Sequence, residues 1–351
     1  QVGVLGSNCL ARHHGMLVWH QGSTQCIEQV LSPRVLGCIS CWRSDVRRAA
    51  SRVQPLAERS GAFPTDKLIS WPGSKYKHRA FIAAHLPRNT DLVVSPFFGS
   101  GAVELHLLRT CSGLRVQASD VSAPLVNFWQ QVLVSPRRVA DRLDILIPRA
   151  RAVSSQEFER WKDWMPSKKF PPDLLAAYFW LVNHLCSNAF MHQARFQKRR
   201  ADLLLDSREK RLNHLRSFQP VQDGVLSITV RDCFEVIRSC PREGVLFLDP
   251  PYMSLNLGST SLNRELVHYA GAPNWKLEMH RRLRDLLDAH PRWILCHDEH
   301  PEIRRLYAGY QILVYGTKSD VAVASSDCRP RAARRELLIL SREISEQQQK
   351  K

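Results

Sequence analysis

From Asp66 onward the chain alternates short apolar runs with amphipathic stretches. Leu92-Val93-Val94, after Asp91, and Val245 to Leu248 are continuous apolar runs of strand length. Arg115 to Ser119, Leu226 to Val230 and Trp293 to Cys296 supply three more strands, and Gln311 to Tyr315 with Glu336 to Leu340 suit a closing antiparallel pair. Ala102 to Arg109 reads as a helix with Val103, Leu107 and Leu108 on related faces, and Pro124 to Val132 as a second. Strands separated by helical patterns predict a doubly wound α/β sheet. Between about Val153 and Asp223 the pattern is mostly helical, with Leu175, Tyr178, Phe179, Val182 and Leu185 recurring at helical spacing. No apolar stretch approaches the roughly 20 residues that span a bilayer. No membrane association is expected, and the chain reads as a soluble intracellular protein.

Residues 1 to 64 follow none of this patterning. Up to Leu56 the only acids are Glu28 and Asp45, against Arg12, Arg34, Arg43, Arg47, Arg48 and Arg52, with no lysine. An Arg-rich, acid-poor opening is expected of an organelle-targeting leader over residues 1–57, or of a poorly ordered extension. Gln1 in place of a methionine suits a fragment or a processed chain. The expected segments after it are 65–152, 153–223 and 224–341, with a polar tail over 342–351.

Charge narrows the class of partner. The 351 residues include 50 Lys and Arg against 33 Asp and Glu, a formal net charge of +17. Such an excess favours a polyanion, because each neutralised phosphate releases condensed counterions. The basic residues concentrate at Arg195, Lys198, Arg199, Arg200, Arg208, Lys210, Arg211 and Arg216, with only Asp202, Asp206 and Glu209 among them. A charge run is usually a solvated helix face, so charge alone does not make this a binding segment. Ten cysteines are scattered; only Cys38 and Cys41 form a Cys-x-x-Cys pair, with Cys9 and Cys26 irregularly upstream. A structural zinc site needs a second such pair or histidines at fixed spacing, so no metal is expected.

Four short segments carry the chemistry: Trp71-Pro72-Gly73-Ser74-Lys75, Phe97-Phe98-Gly99-Ser100-Gly101, Asp120, and Asp249-Pro250-Pro251-Tyr252. A glycine turn at the end of a first strand lets the backbone approach a nucleotide-like ligand, and an acid ending the second strand can bind ribose hydroxyls. Asp120 follows Gly101 by 19 residues, near the spacing of about 20 that this arrangement uses. Both features suit an adenosine-containing cofactor, and the missing third glycine disfavours a dinucleotide. In Asp249-Pro250-Pro251-Tyr252, two prolines stiffen a turn that offers acceptors and no backbone donors. The carboxylate and a proline carbonyl can hold both hydrogens of an exocyclic amine, freeing its lone pair for a sulfonium methyl group. The tyrosine offers a flat face to a flipped-out base. In-line transfer then proceeds by proximity and electrostatics, with no covalent enzyme intermediate.

These segments, in this order, resemble the Dam-like (alpha-group) adenine-N6 DNA methyltransferases from about Lys67 to Leu340. The resemblance implies a doubly wound, Rossmann-like S-adenosylmethionine-dependent methyltransferase sheet with a helical target-recognition insert over 153–223. It implies S-adenosyl-L-methionine as cofactor, double-stranded DNA as partner, and action as a monomer. By resemblance Trp71, Lys75, Phe97, Gly99, Gly101, Asp120, Asp232 and Asp249 attend the cofactor, and Asp249, Pro250, Pro251 and Tyr252 carry catalysis. Asp232-Cys233-Phe234 matches an acid-x-Phe segment near the cofactor adenine, and His297-Asp298 a His-Asp after a later strand. Asn183 and Asn188 resemble an Asn pair of the family's middle region; with Arg195, Lys198, Arg199 and Arg200 they are the expected DNA-binding residues. Departures are Ser74 in place of a glycine, Ala189 after Asn188, and the basic run where the family's recognition stretch would stand; GATC is therefore not carried over as the target. Methylation of cytosine N4 or of an RNA amine, and a catalytically inactive nucleic-acid-binding relative, are the alternatives.

Overall fold

Five of the apolar runs lie side by side as the parallel part of a seven-stranded sheet. The structure, a computed structural model, describes residues 10–13, 16–19, 67–167, 169–186, 195–219, 224–252, 275–317 and 334–350. The chain divides into a unit spanning Gln1–Phe63 and a unit spanning Pro64–Lys351. In the first, Leu10–His13 (β1) pairs antiparallel with Met16–Trp19 (β2).

In the second unit the strands are Leu92–Ser95 (β3), Arg115–Asp120 (β4), Leu226–Val230 (β5), Val245–Leu248 (β6), Trp293–Asp298 (β7), Gln311–Thr317 (β8) and Arg334–Leu340 (β9). Their order is β5-β4-β3-β6-β7-β9-β8. Strands β3 to β7 are parallel, and β9 runs antiparallel to both β7 and β8. All four residues of β6 are buried, as a strand covered on both faces requires. Strand order reverses between β3 and β6, and the crevice beyond the carboxyl ends at such a point is where doubly wound sheets bind ligands.

Helices Arg79–Ala83 (α1), Ala102–Thr110 (α2), Ala123–Val134 (α3) and Pro136–Leu146 (α4) surround the first strands. Ser155–Trp164 (α5), Pro172–Leu185 (α6), Lys198–Asp206 (α7) and Arg208–Arg216 (α8) follow. These four share one apolar core with the cofactor half. Phe128 of α3 stacks on Phe179 of α6 at 5.4 Å, and Trp161, Leu181, Leu204 and Leu212 are buried in the same cluster as Val93 and Val116. Each such side chain removed from water contributes about 1.5–3 kcal/mol. These four helices are therefore welded to the sheet's first half, and α6 is a core helix.

The second face carries Cys233–Arg238 (α9), Leu277–Asp288 (α10) and Pro301–Leu306 (α11). The final residues, expected as a polar tail, form a helix, Arg342–Gln349 (α12). Ser341 caps it by accepting the Ile344 N–H, Ile344 is buried, and Gln348 donates to the His85 carbonyl beyond α1 at 3.2 Å.

Candidate active site

Pairing of Val93 with Val245 and Val94 with Leu246 sets the ends of β3 and β6 side by side, although some 150 positions separate them. The turn after β3 contains two glycines in the left-handed region, Gly99 at φ +50° and Gly101 at φ +63°. A β-carbon on Gly99 would stand 2.8 Å from Trp71 Cδ1, and one on Gly101 would stand 2.6 Å from the Phe98 ring. Conformation and space both require glycine there. The loop is pinned throughout. Phe98 N–H donates to the Ser119 carbonyl at 3.0 Å, and the Gly99 carbonyl accepts from Trp129 Nε1 at 3.0 Å.

Asp120, at the end of β4, accepts from Gly99 N–H through one oxygen and from Ser122 N–H through the other, both at 3.0 Å. Burial pushes its carboxyl above the usual range, and those backbone donors partly offset the rise. A carboxylate offers about four lone-pair sites, so two such bonds leave room for ribose hydroxyls. The glycine cradle and this acid fit an adenosine-containing cofactor.

The opening segment folds onto the same turn. Ser74, standing where the resemblance suggests glycine, makes a 2.7 Å hydroxyl bond to Ser100. Trp71 lies against Gly99, and Lys75 reaches past both to Asp249. Phe97 is half-buried edge-on to Trp275 at 5.4 Å, and Phe234 stacks on Trp275 at 5.8 Å. Asp232 is exposed beyond β5 and caps α9, accepting from Phe234 N–H at 2.9 Å and Glu235 N–H at 3.3 Å.

At Asp249 the sheet concentrates charge. Lys75 Nζ stands 2.8 and 2.9 Å from its two oxygens, donates to the Gly73 carbonyl at 2.5 Å, and lies 3.8 Å from Glu336 Oε2. Only 2% of the Lys75 side chain is exposed. Burial pulls its ammonium down, but Asp249 and Glu336 together hold it above the ordinary lysine value. Burial pushes the Asp249 carboxyl up, against the pull of Lys75. Tyr252 stacks on the buried His297 ring at 5.0 Å, with Lys75 Nζ 4.8 Å from its centroid. One face of Tyr252 is thus covered by His297, a partner the sequence-based picture of an open ring did not include. The hydroxyls of Tyr252 and Tyr315 both donate to Glu336 Oε2, at 3.4 and 3.0 Å. Glu336 and Tyr315 were read only as strand residues. The signal that finds them is register, since they stand opposite each other across β8 and β9.

The expected DNA-binding residues separate. Asn183 is 1% exposed and clamps the Ser70 backbone, accepting its N–H at 2.9 Å and donating to its carbonyl at 2.7 Å. With its amide so engaged it faces no DNA; it holds the segment leading to Trp71, beside the 3.1 Å bond from Trp180 Nε1 to the Leu68 carbonyl. Asn188 lies outside the described residues. Arg195, Lys198 and Arg199 are exposed at and before the start of α7, with Arg200 half-buried. Further along the basic run, Arg208 pairs with Asp144, and Arg216 with Asp141 at 3.2 Å and Asp144 at 3.4 Å. Those two bind α8 to α4. Among the described residues no His, Cys, Asp and Glu side chains are grouped to hold a metal ion, and no helix is long and apolar enough to cross a membrane.

The reversal of strand order, the glycine turn with Asp120 and the adjacent Asp-Pro-Pro-Tyr loop define a Rossmann-like methyltransferase of the S-adenosylmethionine-dependent class. The model of the D12 class N6 adenine-specific DNA methyltransferases matches residues 71–321, and the chain belongs to that family. Among solved structures, the rRNA methyltransferase aviRa from Streptomyces viridochromogenes is similar at TM-score 0.34 and 18% identity, over 81% of this chain and 93% of that one. No curated protein matches the sequence.

Proposed function

We propose that the chain methylates N6 of an adenine flipped out of double-stranded DNA, with Asp249 and Pro250 holding the amine and Tyr252 the base. S-adenosylmethionine supplies the electrophilic methyl group when bound. The carrying observation is the adjacency of β3 and β6, which sets the Asp249 carboxylate beside the glycine turn. The Asp249 carboxylate and the Pro250 carbonyl accept the two amine hydrogens, leaving the nitrogen lone pair directed out of the ring system. Tyr252 meets the base on the face away from His297 once the Lys75 ammonium, 4.8 Å over the ring, gives way. Gly99, Gly101, Trp71 and Asp120 hold the cofactor's nucleoside end, and Asp232 and Phe97 border it. Fixed dipoles and a buried charge cluster need little reorganisation as the reaction proceeds, which is where such sites obtain most of their rate. Arg195, Lys198, Arg199 and Arg200 contact the phosphates of the duplex. One chain suffices for the whole arrangement.

The test is incubation with tritiated S-adenosylmethionine and unmethylated genomic DNA, followed by nucleoside mass spectrometry. Label in N6-methyladenine from the wild type, absent with Asp249→Ala, supports the reading. Label in N4-methylcytosine would move the substrate to cytosine. Cofactor binding with no label in DNA would sink the proposal.

A further inference from the structure

The family match ends at residue 321, so it assigns nothing on β9. Yet β9 delivers a second carboxylate into the charge cluster. Glu336 stands opposite Asp298 of β7 and Tyr315 of β8, which puts it at the edge of the sheet where Asp249 emerges. Its Oε2 accepts from both tyrosine hydroxyls and lies 3.8 Å from the Lys75 ammonium. Two carboxylates therefore surround one buried cation. In this arrangement Lys75 engages both oxygens of Asp249, and the Tyr252 hydroxyl bonds the same carboxylate, so part of the acceptor capacity an incoming amine would use is already taken. The amine competes with the ammonium for this carboxylate, and binds it best once the ammonium loosens its hold on one oxygen. An unpaired buried ammonium is costly, so it needs another anion within reach. Glu336 is that anion, about 1 Å beyond ordinary ion-pair distance.

We propose that Glu336 is a positioning residue of methyl transfer, fixing the Tyr252 ring through its hydroxyl and taking over the Lys75 ammonium when the substrate amine occupies Asp249. The proposal rests on the reading of Asp249 as the amine acceptor. Tyr252 is then held at its ring by His297 and at its hydroxyl by Glu336, the hydroxyl also bonding Asp249. Tyr315 donates to the same Glu336 oxygen at 3.0 Å, a second tie that holds the carboxylate in place.

The titratable groups facing Asp249 are Lys75 from the opening segment, Tyr252 of its own loop, Cys296 of β7, Tyr315 of β8, Glu336 of β9 and Glu104 of α2. Among them Glu336 adds to the proton affinity of Asp249, so neutralising it lets Asp249 stay ionised to lower pH.

The experiment compares wild type, Glu336→Gln, Tyr252→Phe and the double variant in the full chain, measuring kcat, KM for DNA and the acid limb of the kcat–pH profile. Glu336→Gln is expected to lower kcat on the order of tenfold to a hundredfold, as misplacement of a reacting group does. KM for DNA should stay within about threefold, because the lost interaction acts in the transition state. The acid limb should move to lower pH, a shift that a merely structural loss would not produce. The double variant should lose less than the product of the two single losses, because Glu336 acts partly through the Tyr252 hydroxyl. Wild-type kcat and an unmoved acid limb in Glu336→Gln would overturn the proposal while leaving the adenine methyltransferase reading intact. A wild type that methylates no adenine sinks both. If Glu336→Gln does not fold, Tyr252→Phe carries the test alone, and an unchanged kcat there overturns the proposal.

Discussion

Trp71 packs against Gly99 so closely that no side chain fits between them: a β-carbon at 99 would meet the indole Cδ1 at 2.8 Å. The opening segment and the cofactor turn therefore form one surface, although 28 positions separate them in sequence.

Gly99→Ala combines that clash with a side chain at φ +50°. Backbone strain of this kind costs on the order of 1–3 kcal/mol. S-adenosylmethionine affinity, measured by calorimetry, should fall about tenfold or more, the equivalent of 1.4 kcal/mol. Trp71→Ala in the same chain should not restore it, because the strained φ remains and Trp71 is itself proposed to hold the cofactor. Full restoration would show that the clash alone mattered.

Lys75→Ala would leave the Asp249 and Glu336 carboxylates without their cation. Breaking a buried pair by removing one partner costs about 3–5 kcal/mol, so unfolding by urea should shift well to lower concentration. The Lys75 ammonium is held above its ordinary value of 10.5. Its contribution is thus fully present below that value and lost as pH rises through the higher native one. The gap between variant and wild type should persist at neutral pH and shrink in strong alkali.

Glu104 is buried beneath the glycine turn, accepting the Ser95 hydroxyl at 2.6 Å, and burial pushes its carboxyl up to about 7. The unfolded chain loses this proton near 4.5, while the native one keeps it to about 7. Between those values the native state binds more protons, so stability should fall as pH rises. Glu104→Gln should flatten that slope in denaturation measured from pH 4.5 to pH 7. An unchanged slope would place the titration elsewhere.

The basic run should divide by function. Replacing Arg195, Lys198 and Arg199 with alanine should lower DNA affinity and reduce the salt slope by about 3. Arg208→Ala with Arg216→Ala should leave that slope unchanged and cost no more than about 1 kcal/mol of stability, since these pairs are partly exposed. A fall in salt slope from the second pair would show that α8 also touches phosphate.

The sheet was legible because β3, β6 and β7 are apolar on both faces, and buried parallel strands read as unbroken apolar runs. That Gly99, Gly101, Asp120 and Asp249 lie near one another was legible because each sits at or just beyond the carboxyl end of a parallel strand, and such ends gather at one edge. What escaped depends on partners far along the chain. Asn183 on an apolar helix looks functional until the Ser70 backbone is seen to occupy its amide. Arg208 and Arg216 read as unclaimed charge because their partners, Asp141 and Asp144, belong to a helix some 70 residues earlier. Glu336 and Tyr315 meet through strand register, which composition does not encode. At the terminus, Ile344 is a single apolar residue with no period to announce a helix, though Ser341 was a usable cap.

The placement of α3 to α8 between β4 and the edge strand β5 bears on how such a protein can change over generations. The glycine turn and Asp249 follow β3 and β6, and these helices stand outside that pair of strands. Substitutions at the exposed positions of α7 and α8 can accumulate without moving Asp249 or the glycine turn. The core helix α6 has no such liberty, because Trp180 and Asn183 hold the backbone that leads into Trp71. Change is therefore freer at the exposed positions Arg195, Lys198 and Arg199 than on the helix beside them, which cannot shift without dragging the Trp71 segment with it.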